Sequence, residues 1–222
     1  MSPRRHPPGA ARKDRRVKPL DFVLVGVGGQ GILLASDVLC QVGLAAGYDV
    51  KKTDVHGMAQ RGGSVVSHVR LADRVFSPMV AIGGADFLLA FEKLEACRWA
   101  SYLRPEGTAL VNDESIPTLA ALSASPRRRA QGGPAYPDDE AIAKALAASA
   151  GRVVMVEAGA IASRLGNPRV TNVVLLGALS RLLPMQEDEW HSALEARVPA
   201  RYRDVNLRAF QAGREAVDQR SV

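Results

Sequence analysis

The chain has 222 residues, of which 47% are hydrophobic and only 5% aromatic, and its net charge is +6. That is an ordinary globular composition, suited to one large α/β domain with a core built mainly from Val, Leu, Ile and Ala. Its two cysteines, Cys40 and Cys97, are too few for a four-cysteine iron–sulfur cluster, and no apolar run approaches the ~20 residues of a membrane helix.

The positive charge is concentrated at the start. Arg4, Arg5, Arg12, Lys13, Arg15, Arg16 and Lys18 crowd the first 20 residues among four prolines, with Asp14 the only acid. Such a segment buries too little apolar surface to offset its ordering entropy, so residues 1–20 are expected to be a disordered basic tail. Contact with nucleic acid or acidic lipid is the functional alternative, but no interleaved aromatics or binding motif accompany the charge. Nucleic acid and membrane are therefore not expected partners. The apolar run Phe22–Val27 is too short for a signal-peptide core, and neither cysteine sits in a Cys-x-x-Cys, which predicts a reduced, cytoplasmic protein.

Asp21–Val25 reads as a buried strand. Gly26, Gly28, Gly29 and Gly31 follow, then a helical pattern from Gln30 to about Ala46, and a second strand over Asp49–Thr53. This order opens a Rossmann-like, mostly parallel sheet flanked by helices. Residues 54–63 read as a loop. Ser64–Leu71 alternates as a strand, with Val75–Ser77 as its expected hairpin partner. Further strands are predicted at Ala85–Phe91, Thr108–Val111 and Val153–Val156. Helices are predicted over Glu92–Leu103, from Asp138 or Asp139 to about Ala148, over Glu157–Leu165 and Asn172–Leu183, and at about 186–197 and 203–218. Residues 124–137, with Arg127, Arg128 and Arg129, read as a loop. The arginines suit a solvated surface, with a phosphate or an acidic partner protein as the alternative contact.

Two motifs carry chemistry. Gly26-Val27-Gly28-Gly29-Gln30-Gly31 fits G-x-G-x-x-G between a strand and a helix, where backbone amides and the helix N-terminus favour an anion. Asp49 is spaced to mimic a ribose-binding acid, which would make this a dinucleotide site; another anion or a partner contact, and then a structural turn, are the alternatives. The second motif, His56-Gly57-Met58-Ala59-Gln60-Arg61-Gly62-Gly63-Ser64, sets a His, a Gln and a bidentate Arg on a glycine-rich loop. A structural connection with Arg61 paired to a carboxylate is the plainer alternative. His68 reads as a hydrogen-bonded structural residue. His56 and His68 lack metal-ligand spacing, so no metal is expected. Thr171 or Asn172 is placed to cap the following apolar helix, in which Gly177 and Ala178 permit close packing. Catalytic residues cannot be assigned: there is no Ser/His/Asp order, carboxylate pair or Walker lysine.

Taken together, Val23–Gly31 and Val55–Arg70, extended by Ser77-Pro78, Gly84-Ala85-Asp86 and Phe91-Glu92, resemble the gamma-type domain of the 2-oxoacid:ferredoxin oxidoreductases. The second stretch is similar to the indolepyruvate branch, in its beta subunit. The resemblance is strong over about residues 21–115 and weaker to 183. It implies a basic tail followed by a single gamma-type domain over residues 21–222, inactive alone, in an enzyme that converts arylpyruvates to acyl-CoA and carbon dioxide. Thiamine diphosphate, Mg and 4Fe-4S clusters would lie on a large alpha subunit, with coenzyme A as co-substrate and ferredoxin as electron acceptor. No cofactor would reside on this chain. Gly26, Gly28, Gly29, Gln30, Gly31, His56, Gln60, Arg61, Gly62, Gly63 and Ser64 would line the subunit interface near acyl transfer, Arg61 steering a carboxylate or phosphate. The competing readings are a stand-alone NAD(P)-binding oxidoreductase and a non-catalytic binding module.

Overall fold

The computed structural model describes residues 18–56, 63–116 and 136–218. Residues 1–17 of the expected basic tail, 124–135 of the arginine loop and most of the second motif's loop lie outside the described residues, whereas Leu20, expected in the tail, is buried and opens the first strand. Among the described residues, six strands form one mixed sheet: β1 (Leu20–Val27), β2 (Asp49–His56), β3 (Ser64–Ala72), β4 (Ala85–Ala90), β5 (Leu103–Asn112) and β6 (Arg152–Val156), in the order β2-β3-β1-β4-β5-β6. β1, β4, β5 and β6 pair in parallel, whereas β3 runs antiparallel between β1 and β2. The α-helices are α1 (Ile32–Ala45), α2 (Lys93–Trp99), α3 (Asp139–Ala147), α4 (Ala158–Arg164), α5 (Thr171–Ser180), α6 (Glu187–Arg197) and α7 (Arg203–Asp218). None is long and apolar enough to cross a membrane.

The strands of a doubly covered sheet bury both faces, and here alternate residues serve opposite layers. Phe22 and Leu24 of β1 pack with Val38, Leu39 and Val42 of α1, with α5, and with Trp190 and Phe210. Val23 and Val25 pack on the other face with Ala96, Ile142 and Leu146 of α2 and α3. α5 is buried along its length, and it meets α7 backbone to backbone: a Cβ on Gly177 would lie 1.9 Å from the Phe210 carbonyl oxygen. The close packing expected of Gly177 is thus internal to the chain.

Several expectations change. Val75–Ser77 does not form a strand, because both edges of β3 are taken by β1 and β2; the hairpin is β2–β3. The segment after β3 is instead held by the Arg70 guanidinium, which donates to the carbonyls of Ser77 and Met79. β5 is longer than expected, and the helix after β4 ends at Trp99 before a 3₁₀ turn over Ala100–Tyr102. Neither Thr171 nor Asn172 caps α5 from outside. A 3₁₀ turn over Pro168–Val170, capped by the Asn167 side chain, leads into the helix one turn earlier. Asn172 is thereby set inside the first turn of α5.

Candidate functional site

Ligands of open α/β sheets bind beyond the carboxyl ends of the parallel strands. β1 reaches that edge at Val27, and the glycine turn follows. The Gln30 side chain folds back into the turn: its Oε1 accepts the Val27 N–H at 2.7 Å and its Nε2 donates to the Phe91 carbonyl at 2.9 Å. That is why Gly26 has no side chain, since a Cβ there would lie 2.7 Å from Gln30 Oε1 and 2.8 Å from Phe91 Cβ. Gly31 is left-handed (φ 80°), and a Cβ would meet Asn172 Nδ2 at 2.5 Å. Asn172 Nδ2 donates to the Gly31 carbonyl at 3.4 Å. Gly29, also left-handed at φ 108°, has open space where a Cβ would stand.

The second motif arrives at the same edge. β2 ends at His56 and β3 begins at Ser64, with His56 opposite Val65 and Val27 opposite Ser64. The Gly28 N–H donates to the Gly63 carbonyl at 2.9 Å, joining the two motifs directly. Ser64 Oγ donates to Glu95 Oε2 at 2.6 Å. Gln60, Arg61 and Gly62 lie outside the described residues.

Beside the turn is a cleft of about 380 Å³, lined by Gly29, Gln30, Gly31, Glu114, Pro168, Arg169 and Thr171. Arg169 also lines a neighbouring cavity of about 340 Å³, with Arg197, Asn206 and Tyr202. The cleft therefore combines glycine backbone, a cation and a carboxylate. Glu114 Oε2 accepts from Asn112 Nδ2 at 2.8 Å, and that same amide nitrogen donates to the Phe91 carbonyl at 3.1 Å. Glu114 and Arg169 are lining residues that sequence reasoning did not select. Glu114 follows the end of β5, and its position beyond a parallel strand is the signal that could have found it; Arg169 carries no comparable signal.

Other candidates fall away. Asp49 begins β2, at the opposite end of the sheet from the turn, and its carboxylate accepts the Val75 N–H at 2.7 Å. It cannot serve as the ribose-binding acid of a dinucleotide site at the turn. The spacing misleads because β2 runs in the same direction as β1 and Asp49 is its first residue, level with the start of β1 rather than with its end. Lys52 is held by Asp37 at 2.6 Å and Asp54 at 3.1 Å. His68 is buried, with Nδ1 accepting from the Val80 N–H and the rings of Trp99 and Tyr102 nearby; burial lowers its pKa, favouring the neutral ring. It is a structural residue, as its isolation on a strand suggests.

Cys40 packs against one face's core and Cys97 against the other's, so the two cannot share a cluster. Burial pushes the Cys40 thiol up to about 11, far from thiolate ligand character. Among the described residues no three His, Cys, Asp or Glu side chains gather to hold a metal ion. These residues do not fit an iron–sulfur cluster or a metal-bound diphosphate.

Comparison with known proteins places this geometry. Residues 21–216 match the pyruvate ferredoxin/flavodoxin oxidoreductase family model. The chain is 37% identical over 206 residues to indolepyruvate oxidoreductase subunit IorB of Thermococcus kodakarensis, covering 91% of this chain and 98% of that protein. The gamma subunit of a keto/oxoacid ferredoxin oxidoreductase from Geobacter sulfurreducens superposes with a TM-score of 0.64 at 21% identity, covering 90% of this chain and 99% of that one. The 2-oxoglutarate:ferredoxin oxidoreductase of Magnetococcus marinus, solved with 2-oxoglutarate, coenzyme A and succinyl-CoA bound, gives 0.69 at 19% identity, covering 91% of this chain and 32% of that one. The chain, whose Gly28 and Gly63 meet at one edge of this fold, belongs to the pyruvate ferredoxin/flavodoxin oxidoreductase family.

Proposed function

We propose that this chain is the small subunit of an indolepyruvate or related arylpyruvate:ferredoxin oxidoreductase in the cytoplasm, with residues 21–222 acting as one gamma-type domain behind a basic tail. In this reading a large alpha subunit carries thiamine diphosphate, Mg and 4Fe-4S clusters. Those groups supply decarboxylation and electron transfer: the substrate's oxo carbon is oxidised to the thioester level as carbon dioxide leaves, and ferredoxin is reduced. Coenzyme A takes the acyl group. The 37% identity to the Thermococcus subunit over nearly the full length of both chains supports the substrate class.

The observation that carries the reading is the 2.9 Å bond from the Gly28 N–H to the Gly63 carbonyl. It draws together the two stretches on which the family resemblance rests. In this reading the residues of the turn (Gly26, Gly28, Gly29, Gln30, Gly31) and of the loop (His56, Gln60, Arg61, Gly62, Gly63, Ser64) serve the interface with the partner. This chain's part is binding and orientation. Amides of the turn and the start of α1 favour an anion, and Arg61 steers the 2-oxoacid carboxylate or a coenzyme A phosphate as a bidentate cation.

Arg61→Ala in the reconstituted holoenzyme tests this role. The expected result is a KM for the 2-oxoacid or for coenzyme A raised about tenfold or more, as loss of a charged hydrogen bond implies. Wild-type kinetics and wild-type assembly would refute it. The dinucleotide reading is not favoured, because Asp49 stands at the far end of the sheet.

A further inference from the structure

The junction between β4 and α2 lies outside both motifs, yet it touches both. At its start, the Phe91 carbonyl accepts Gln30 Nε2 at 2.9 Å, holding the glycine turn from inside. In the first turn of α2, Glu95 Oε2 accepts Ser64 Oγ at 2.6 Å, holding the residue that enters β3. Glu95 is a buried carboxylate, only 2% exposed, and its other oxygen receives Arg98. Its backbone is fixed as well, for its N–H donates to Glu92 Oε2 at 2.9 Å. Glu92, 1% exposed, is in turn held by the Ile116 N–H and the Tyr136 hydroxyl.

A buried carboxylate is costly unless its lone pairs are used, and an acceptor of this kind makes hydrogen bonds stronger than neutral ones. Glu95 spends one oxygen on a serine that follows Gly63, the residue whose carbonyl receives the Gly28 N–H. Nothing in α2 itself requires that serine. Among the described residues, Ser64 is otherwise held by the sheet ladder, where it pairs with Val27, which sets the register of β3 but not the lateral position of its first residue.

We infer that Glu95 is a positioning residue: by holding Ser64 it sets the Gly63 carbonyl against the Gly28 amide and keeps the glycine turn and the entry to β3 in one geometry. The consequence for catalysis rests on the subunit function proposed above; the consequence for the fold does not. Glu95→Gln keeps an oxygen for Ser64 while losing the charge offered to Arg98, whereas Glu95→Ala removes the acceptor. Ser64→Ala breaks the same bond without emptying the buried site.

The test has two readouts. The first is amide hydrogen exchange of Gly28 in the full chain. Ser64→Ala and Glu95→Ala are each expected to speed it by about tenfold, with Leu89 and Leu110 in the central strands unchanged and Glu95→Gln close to wild type. Should Glu95→Ala fail to fold, Ser64→Ala carries the test. The second readout is holoenzyme kinetics, where Ser64→Ala is expected to raise KM about tenfold with kcat within about twofold. Unchanged Gly28 exchange in Ser64→Ala would overturn the positioning role. Faster exchange with unchanged KM in an active holoenzyme would overturn its link to the reaction. A wild-type complex without arylpyruvate activity would instead refute the proposed function, leaving the exchange result to decide the role of Glu95.

Discussion

The Gly28 N–H meets the Gly63 carbonyl at 2.9 Å, and this one bond joins two stretches 35 residues apart in the chain. Its donor follows a parallel strand and its acceptor precedes an antiparallel one. Inserting β3 beside β1 therefore does two things. It moves β2 one strand further from β1, and it brings Gly63 beside the turn.

The turn depends on Gln30 as much as on its glycines. Gln30→Ala would strip the Val27 N–H and the Phe91 carbonyl of a partner each. The expected loss is ~1–3 kcal/mol in a denaturant titration. Gln30→Glu keeps an acceptor for Val27 but offers Phe91 no donor, so it should also destabilise. A variant as stable as wild type would show that the folded-back side chain is dispensable.

Gly31→Ala combines a left-handed backbone with a Cβ at 2.5 Å from Asn172 Nδ2. The backbone alone costs ~1–3 kcal/mol. Gly29→Ala shares the positive φ but meets nothing within 4 Å. Thermal melts should rank Gly31→Ala below Gly29→Ala; the reverse order would contradict the packing described for Asn172.

The crossing of α5 and α7 gives a steeper test. A Cβ on Gly177 would stand 1.9 Å from the Phe210 carbonyl oxygen, and one on Gly213 1.9 Å from that of Val174. Each contact is with backbone, so relief requires the helices to separate. Gly177→Ala or Gly213→Ala should cost at least ~1–3 kcal/mol, the usual range for overpacking. Wild-type melting temperatures for both would show that the helices do not approach this closely.

The thiol of Cys40 is raised from 9.0 to about 11, chiefly by burial, with Lys52 opposing the rise. The folded form therefore holds the proton more tightly than the unfolded chain. Its stabilising contribution is complete below pH 9 and is lost as pH rises toward 11. At pH 8 the thiolate fraction is about a hundredfold below that of an unperturbed thiol. Iodoacetamide labelling followed by mass spectrometry should find Cys40 slow in the native chain and ordinary in urea; equal rates would contradict the burial.

Much of this architecture was readable from local pattern. The alternation of Phe22, Val23, Leu24 and Val25 marks a strand buried on both faces, and the helices ending near Ala45, Arg197 and Asp218 lie close to their expected bounds. What local pattern does not carry is lateral order. Ser64–Leu71 has a strand's alternation, but nothing in it says that both of its edges pair, so Val75–Ser77 looked like a partner. Asp49 matched a spacing but is the first residue of β2, at the end of the sheet away from the turn. Asn172 reads as a cap, and only the fold brings it to Gly31 across 141 residues. Glu95 had no motif at all; its importance comes from Ser64, 31 residues earlier. The two glycine-rich stretches were legible because glycine, unlike a surface charge, is demanded by backbone geometry.

The most direct test of the central claim is co-expression of this chain with its candidate large subunit, followed by an assay of arylpyruvate- and coenzyme A-dependent reduction of a viologen dye. The account predicts a stable complex, activity in the complex alone, and none in the isolated chain. A complex that forms but reduces the dye with no 2-oxoacid, or a lone chain that binds NADH tightly without any large-subunit partner, would contradict it.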